Sequence, residues 1–130
     1  MIGILIVSHG AFGEALIHCA SHVLGKRPLR VRQVGVTVHD DPETMLPIAI
    51  DMVESLDEGD GVLVFTDIYG ATPGNIAARL LEKGRVEGVS GVNLPMLVRA
   101  LTYRNEPLAT VVQKALSGGT EGVMHMKPEA

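Results

Sequence analysis

Near-continuous aliphatic runs, each followed at once by glycine and polar residues, are the feature that most restricts the fold of this 130-residue chain. Residues 2–7 and 61–66 are apolar at nearly every position, which is typical of strands buried on both faces. Val31–Val36 alternates apolar and polar residues and predicts a less buried strand. Val86–Ser90 predicts a short fourth strand.

Segments with helical periodicity separate and follow these runs. Phe12–Leu24 places Ala15, Leu16, Cys19, Val23 and Leu24 at helical spacing, and Gly25 is expected to end the helix. Asp41 is expected to cap a second helix that has Pro42 in its first position. The predicted helices cover residues 12–24, 42–56, 72–81, 96–103 and 108–116.

The alternation of strands and helices predicts an α/β fold. We expect a doubly wound open sheet, mainly parallel and four-stranded, with helices on both faces. One domain over residues 1–126 and a flexible tail over residues 127–130 are expected. The Gly118-Gly119 pair is predicted to break the chain before a short last strand over residues 122–126.

Charge and hydropathy exclude several classes of function. The formal net charge is -4, and no run of Lys and Arg exceeds two residues, which argues against nucleic-acid binding. The apolar start is too short to span a bilayer and lacks the basic region of a signal peptide, so we expect a cytoplasmic protein without direct membrane insertion. Cys19, the single cysteine, cannot form an internal disulfide and is expected to pack inside the first helix.

Polar residues that follow the predicted strands indicate a site, because ligands of open α/β sheets bind beyond the carboxyl ends of the strands. His9 follows the first strand and Asp67 follows the third. An imidazole can attack phosphorus, and a carboxylate on one ring nitrogen would fix the tautomer and stabilise a cationic phosphorylated ring. The alternative is structural: His9 caps its strand and Asp67 caps the following turn.

Residues near these two suit the oxygens of an anion. Gly10 would let the backbone approach closely at a helix start, and Gly70 and Thr72 would supply close backbone and a hydroxyl donor. An ordinary turn and helix cap at Thr72 is the alternative. Asn93 follows the fourth strand at the same edge. Walker and GxGxxG patterns are missing, and His18 and His22 lack a further ligand, so the sequence predicts neither a metal site nor a cofactor.

Four stretches together carry a family resemblance. "ILIVSHGAFGEAL", "GVLVFTDIYGATPGNIAARL", "GVSGVNLPMLVRAL" and "ALSGGTEGV" occur in this order over residues 1–124. With them, the chain resembles the enzyme IIA domain of the mannose-family sugar phosphotransferase system. The resemblance implies a phosphotransferase with a phosphohistidine intermediate. The carrier HPr would phosphorylate His9, Asp67 would orient the ring, and Thr72 and the loop that contains Asn93 would lie near the phosphoryl group.

The resemblance also implies partners. The acceptor would be a IIB component in sugar uptake, or a target protein if the chain has a regulatory role. A homodimer would form by exchange of the last strand, residues 122–126. The chain departs from the family in reading "VSHG" where "GTHG" is frequent, and in having Gly74 where a bulkier residue is frequent.

Three alternatives remain open at the level of sequence. The phosphocarrier subunit of dihydroxyacetone kinase shares the fold and the histidine after the first strand. A small sirohydrochlorin-type chelatase also shows "SHG" after a first strand, but it needs a second metal-facing histidine. A binding module in which His9 is structural would not accept phosphate.

Overall fold

Four parallel strands form one sheet in the computed structural model, which describes residues 1–129. The strands are β1 (Gly3–His9), β2 (Val31–Val36), β3 (Val62–Thr66) and β4 (Val86–Ser90), and their order across the sheet is β2-β1-β3-β4. β1 therefore lies between β2 and β3, and the carboxyl ends of all four strands meet at one edge.

Helices cover both faces of this sheet. In the described residues they are α1 (Phe12–Leu24), α2 (Pro42–Leu56), α3 (Thr72–Ala78), α4 (Leu94–Thr102) and α5 (Leu108–Glu121). Ile4 and Ile6 of β1 pack in a core with α1, α4 and α5. Leu5 and Val7 point to the opposite core, with α2 and α3. Because β1 is buried on both faces, its continuous apolar run is explained, and the predicted doubly wound α/β fold is confirmed.

Two predicted helix boundaries are confirmed in detail. Gly25 ends α1 in the left-handed region, with φ of 82°. Asp41 precedes α2 and its Oδ1 accepts a hydrogen bond from the Glu43 amide at 3.0 Å, while Pro42 is the first helical residue. By contrast, α3 ends at Ala78, before the predicted residue 81, and α4 begins at Leu94, two residues before the predicted start.

The predicted chain break at Gly118-Gly119 is wrong, and residues 123–129 form no strand within the single chain. α5 continues through both glycines to Glu121. A Cβ at Gly118 would lie 2.8 Å from Cβ of Arg99, and one at Gly119 would lie 2.5 Å from Cε of Met96. The two glycines therefore allow α5 to pack closely against α4, and this packing stabilises the last turns of the helix.

The expected burial of Cys19 is also wrong, because this side chain is exposed on α1. The buried residues of α1 are Gly13, Ile17 and Ala20. The larger apolar side chain of Val23 is 60% exposed. The buried face of α1 is therefore formed by Ile17 between two small residues, and the predicted apolar positions are not the ones that face the sheet.

The end of the chain has no regular structure after Gly122. Residues 123–129 are exposed and contain neither helix nor strand. The predicted tail covers residues 127–130, of which residue 130 lies outside the described part. Within residues 1–129, no helix combines the length and the apolar character that crossing a membrane requires.

Candidate active site

His9 and Asp67 meet at the carboxyl edge of the sheet, as the sequence predicts. His9 is the last residue of β1, and Asp67 directly follows β3, the neighbouring strand. Nδ1 of His9 lies 2.7 Å from Oδ2 of Asp67. The His9 backbone amide donates to the same oxygen at 3.0 Å. One carboxylate oxygen therefore holds both the backbone and the ring of His9.

The second oxygen of Asp67 is also bound. Oδ1 accepts from the Ile68 amide at 3.0 Å, and the Thr66 hydroxyl lies 3.4 Å from it. The Asp67 side chain is only 13% exposed, whereas that of His9 is 54% exposed. A fixed, shielded carboxylate therefore orients a ring that remains open to solvent. Thr66 does not stand out in the sequence, because a threonine at a strand end has no distinctive pattern.

The charge of Asp67 determines which ring nitrogen of His9 carries the proton. Burial acts to raise the pKa of Asp67, but hydrogen bonds from the amide and ring of His9 outweigh it and hold the pKa below its ordinary value. The carboxyl group is therefore ionised at neutral pH and accepts the proton carried by Nδ1. In the neutral ring, the lone pair then lies on Nε2, which is the nitrogen directed away from Asp67.

A close backbone approach shapes the turn after His9. Gly10 has a φ of 49°, in the left-handed region, and its amide donates to the Val36 carbonyl at 3.0 Å. A Cβ at Gly35 would lie 2.1 Å from the Gly10 carbonyl oxygen. Gly35 is thus required where the turn crosses β2. The sequence offers one signal for it, a glycine inside a strand, which often marks such an approach.

The other predicted site residues differ in what they contribute. Gly70 is exposed and has a φ of 86°, as its turn requires. Thr72 is exposed as the first residue of α3, and the helix cap is Ala71, so the capping alternative for Thr72 is wrong. Asn93 caps α4: its Oδ1 accepts from the Met96 amide at 2.9 Å and its Nδ2 donates to the Gly119 carbonyl at 3.2 Å. Its carbonyl oxygen and one of its two N–H groups are therefore used by the fold.

The first turn of α1 begins three residues after His9 in the sequence. Its cap residue, Ala11, provides no side-chain hydrogen bond. The first amides of a helix have no partner within the helix, and the helix dipole makes this end partly positive. The turn after β1 therefore leads into a helix end that favours negative charge.

Exposed apolar side chains occupy the segments that leave this edge of the sheet. Val38, after β2, is 95% exposed, and Tyr69, after β3, is 86% exposed. Phe12 at the start of α1 and Ile68 beside Asp67 are also exposed. We call Phe12, Val38, Ile68 and Tyr69 the apolar rim.

Histidines elsewhere do not form a comparable group. The rings of His18 and His22 lie edge to face on α1, with centroids 5.0 Å apart. In the part of the chain that the structure describes, no three His, Cys, Asp or Glu side chains are arranged to hold a metal ion.

Fold and site together define a class: an α/β domain in which a shielded carboxylate orients an exposed imidazole at the carboxyl edge of a parallel sheet. The family model described as "PTS system fructose IIA component" matches residues 3–116. The chain therefore belongs to this mannose/fructose family of IIA components of the phosphotransferase system (PTS).

Curated relatives agree with this assignment. The "PTS system mannose-specific EIIAB component" of Escherichia coli (strain K12) is 33% identical over 129 residues, which is 97% of this chain and 40% of that protein. This chain thus spans two fifths of the length of that relative. The "PTS system fructose-specific EIIA component" of Bacillus subtilis (strain 168) is 30% identical over 105 residues, covering 80% of this chain and 71% of that one.

A solved structure agrees as well. The crystal structure of phosphotransferase system component EIIA from Streptococcus agalactiae superposes with a TM-score of 0.85 at 25% identity, covering 96% of this chain and 97% of that one. The four-stranded parallel sheet described above is therefore shared with a component of the same system.

Replacing the carboxylate tests how the ring is oriented. In Asp67→Asn, we expect His9 to lose its preference for the tautomer protonated at Nδ1, which nitrogen-detected NMR of the imidazole measures. We also expect a loss of about 1 kcal/mol in the free energy of unfolding near neutral pH, because a charged hydrogen bond is removed. Asp51→Asn, at an exposed position of α2, is the matched control.

The pH dependence of this difference follows from the lowered pKa of Asp67. A carboxyl group with a lowered folded-state pKa stabilises the fold above its unfolded-state pKa, about 3.9, and loses that contribution as the pH falls through the folded value. The wild type should therefore lose its advantage over Asp67→Asn below about pH 4. A difference that stays constant down to pH 2 would contradict the assigned role.

Proposed function

We propose that this chain is a phosphocarrier: it accepts a phosphoryl group from phosphorylated HPr on Nε2 of His9 and transfers it to a IIB component in sugar uptake. The observation that carries the proposal is the 2.7 Å contact between Nδ1 of His9 and Oδ2 of Asp67, which leaves the other ring nitrogen on the exposed side. Family membership supports phosphoryl transfer as the chemistry.

The proposed step exchanges one phosphorus–nitrogen bond for another. The bond to the histidine nitrogen of HPr breaks as the lone pair of Nε2 forms the new bond, and the proton on Nδ1 stays in its hydrogen bond to Asp67. The His9 ring thereby becomes cationic, and the Asp67 carboxylate stabilises that charge. Such a transfer depends chiefly on in-line placement and on stabilisation of charge.

Neighbouring groups are proposed to receive the phosphoryl oxygens. The amides of the first turn of α1 suit an anion, and Gly10 gives the backbone freedom to approach. The exposed hydroxyl of Thr72 and the backbone at Gly70 are further proposed donors. Asn93 is the weakest of the predicted ligands, because its side chain is held by two hydrogen bonds of the fold and has one N–H group left to donate.

The apolar rim is proposed as the docking surface for HPr. A donor that is itself a protein needs an accessible acceptor nitrogen surrounded by side chains that can be buried on contact. The rim residues are exposed and follow the strand ends on either side of His9. A small contact of this kind fits a partner that must leave after each transfer.

The acceptor and cellular place are proposed from the relatives. The Escherichia coli protein is named as a combined EIIAB component, which supports a IIB acceptor. A regulatory target is the second proposed acceptor, and the cytoplasm is the proposed location. Neither the family match nor these relatives support the dihydroxyacetone kinase subunit or the chelatase.

A homodimer that uses the end of the chain is part of the proposal. β4 is an edge strand, and beyond Val86 its outer side has no neighbouring strand within the described residues. Unpaired strand edges readily accept another strand. Val123, Met124 and Met126 are exposed apolar residues that a partner's edge strand would cover.

Phosphorylation of the intact chain tests the proposed carrier role. With phosphoenolpyruvate, enzyme I and HPr, we expect one acid-labile phosphoryl group on the wild type, seen by intact mass. His9→Ala should take up none, because it lacks the acceptor nitrogen, while its circular dichroism stays unchanged. His18→Ala, at an exposed position of α1, should behave as the wild type. Phosphate on His9→Ala, or none on the wild type with an active HPr, would refute the proposal.

The docking surface has a separate test with a matched pair of variants. Val38→Asp places a charge in the apolar rim, and Val23→Asp places one at an exposed position near the end of α1. We expect Val38→Asp to raise KM for phosphorylated HPr about tenfold with little change in kcat, because it weakens docking alone. Equal KM values for the two variants would exclude this surface.

Truncation tests the homodimer. Removal of residues 123–130 should yield a monomer in sedimentation velocity, because the proposed contact strand is lost. Removal of residues 127–130 alone is the control and should leave a dimer. The dimer proposal fails if the full chain is a monomer, or if the longer truncation still dimerises.

A further inference from the structure

The edge of the sheet opposite His9 contains an open cavity of about 500 Å³. It lies between the end of α1, the loop that leads to β2, and the segment after α4. Its walls are largely apolar, and cationic side chains also line it. The lining residues that matter for its chemistry are Leu24, Lys26, Arg27, Leu29, Leu101 and Arg104.

Arg104 is a buried cation in the lining of this cavity, with only 6% of its surface exposed. Its guanidinium group donates to the carbonyl of Ile2 at 2.7 Å, to that of Arg30 at 3.1 Å, and to that of Leu29. A guanidinium group has five N–H donors, and these contacts leave one N–H of Nη1 without an acceptor among the described residues.

The charge of Arg104 is not neutralised by the fold. Within residues 1–129, no carboxylate lies at ion-pair distance from it. Burial and the nearby positive charge of Arg30 lower the pKa of Arg104, and the negative charge of Glu58 opposes them without outweighing them, so the site is electrostatically unfavourable for a cation. Carbonyl dipoles offset only part of the cost of burying an unpaired charge.

The mouth of this cavity carries further positive charge. Lys26 is exposed and has no ion-pair partner among the described residues. Arg27, next to it, binds Glu14 at 2.9 Å and is therefore neutralised. Two cations without counter-ions, the buried Arg104 and the exposed Lys26, thus line the same apolar cavity.

We propose that this cavity binds a small organic carboxylate. The carboxylate would accept hydrogen bonds from Nη1 of Arg104 and from Lys26, and its hydrocarbon part would cover Leu24, Leu29 and Leu101. The cavity volume lies within the range of small-molecule sites, about 300 to 1,000 Å³. The site shares no residue with the proposed phosphoryl site, so it does not depend on the proposed function.

Amide NMR of the full chain, titrated with sodium hexanoate at constant ionic strength, tests the proposal. We expect saturable shift changes confined to residues 24–30 and 101–105. Hexanamide, which has the same hydrocarbon chain but no charge, should bind about tenfold more weakly, because it cannot neutralise Arg104. Saturable changes elsewhere, no saturable change, or equal affinity for hexanamide would overturn the proposal.

Substitutions in the lining of the cavity test whether hexanoate binds there. Lys26→Gln should weaken the binding of hexanoate about threefold, because a positive charge at the mouth of the cavity is lost. Lys83 is exposed and lies outside the cavity, so Lys83→Gln should leave the affinity unchanged. Arg104→Gln should abolish the preference for hexanoate over hexanamide. Because Arg104 also holds three carbonyls, that variant can fail to fold, and the Lys26→Gln and Lys83→Gln pair then decides. Equal affinities for that pair would exclude the site.

Discussion

The hydrogen bond between Asp67 and His9 is the interaction on which the geometry of the proposed phosphoryl site depends. A carboxylate that is 13% exposed binds a side chain that is 54% exposed, so the charge is shielded while the ring remains open to solvent. The same oxygen also accepts from the His9 backbone amide. Backbone and ring are thus fixed by one group, and a rotation of the imidazole would break the contact. A histidine held only by its backbone would have neither a fixed tautomer nor a fixed direction.

The sheet provides this contact through its strand order. β1 pairs with β3 so that Val7 lies opposite Thr66, and the residues that follow each strand emerge side by side. Fifty-seven residues of chain separate His9 from Asp67, and a parallel crossover brings them together. Gly35 completes the arrangement, because any side chain there would collide with the turn at Gly10. The pairing register of β1 and β3 therefore determines the geometry of the site as much as its side chains do.

The sequence predicts this edge well because buried strands and their polar ends have a strong local pattern, and both His9 and Asp67 lie directly at strand ends. The sequence predicts the end of the last helix poorly, because glycine occurs both in turns and where two helices pack closely. Gly118 and Gly119 read as a break, yet they contact α4, and only the tertiary structure distinguishes the two roles. The predicted burial of Cys19 is wrong for a related reason: two of the three buried residues of α1, Gly13 and Ala20, are small and carry little hydrophobic signal.

A phosphocarrier also requires that the phosphoryl group be released as readily as it is bound. Permanent cations at the site would stabilise the bound group and slow its departure, since equal stabilisation of ground and transition states does not accelerate transfer. Asp67 contacts the ring of His9 directly, so the positive charge that a phosphoryl group would create on this ring would be stabilised where it forms. The first turn of α1 adds a weak attraction, of about 0.3 to 1 kcal/mol for a helix end. Charge that appears with the bond and disappears with it suits reversible transfer better than a fixed cluster of lysines or arginines.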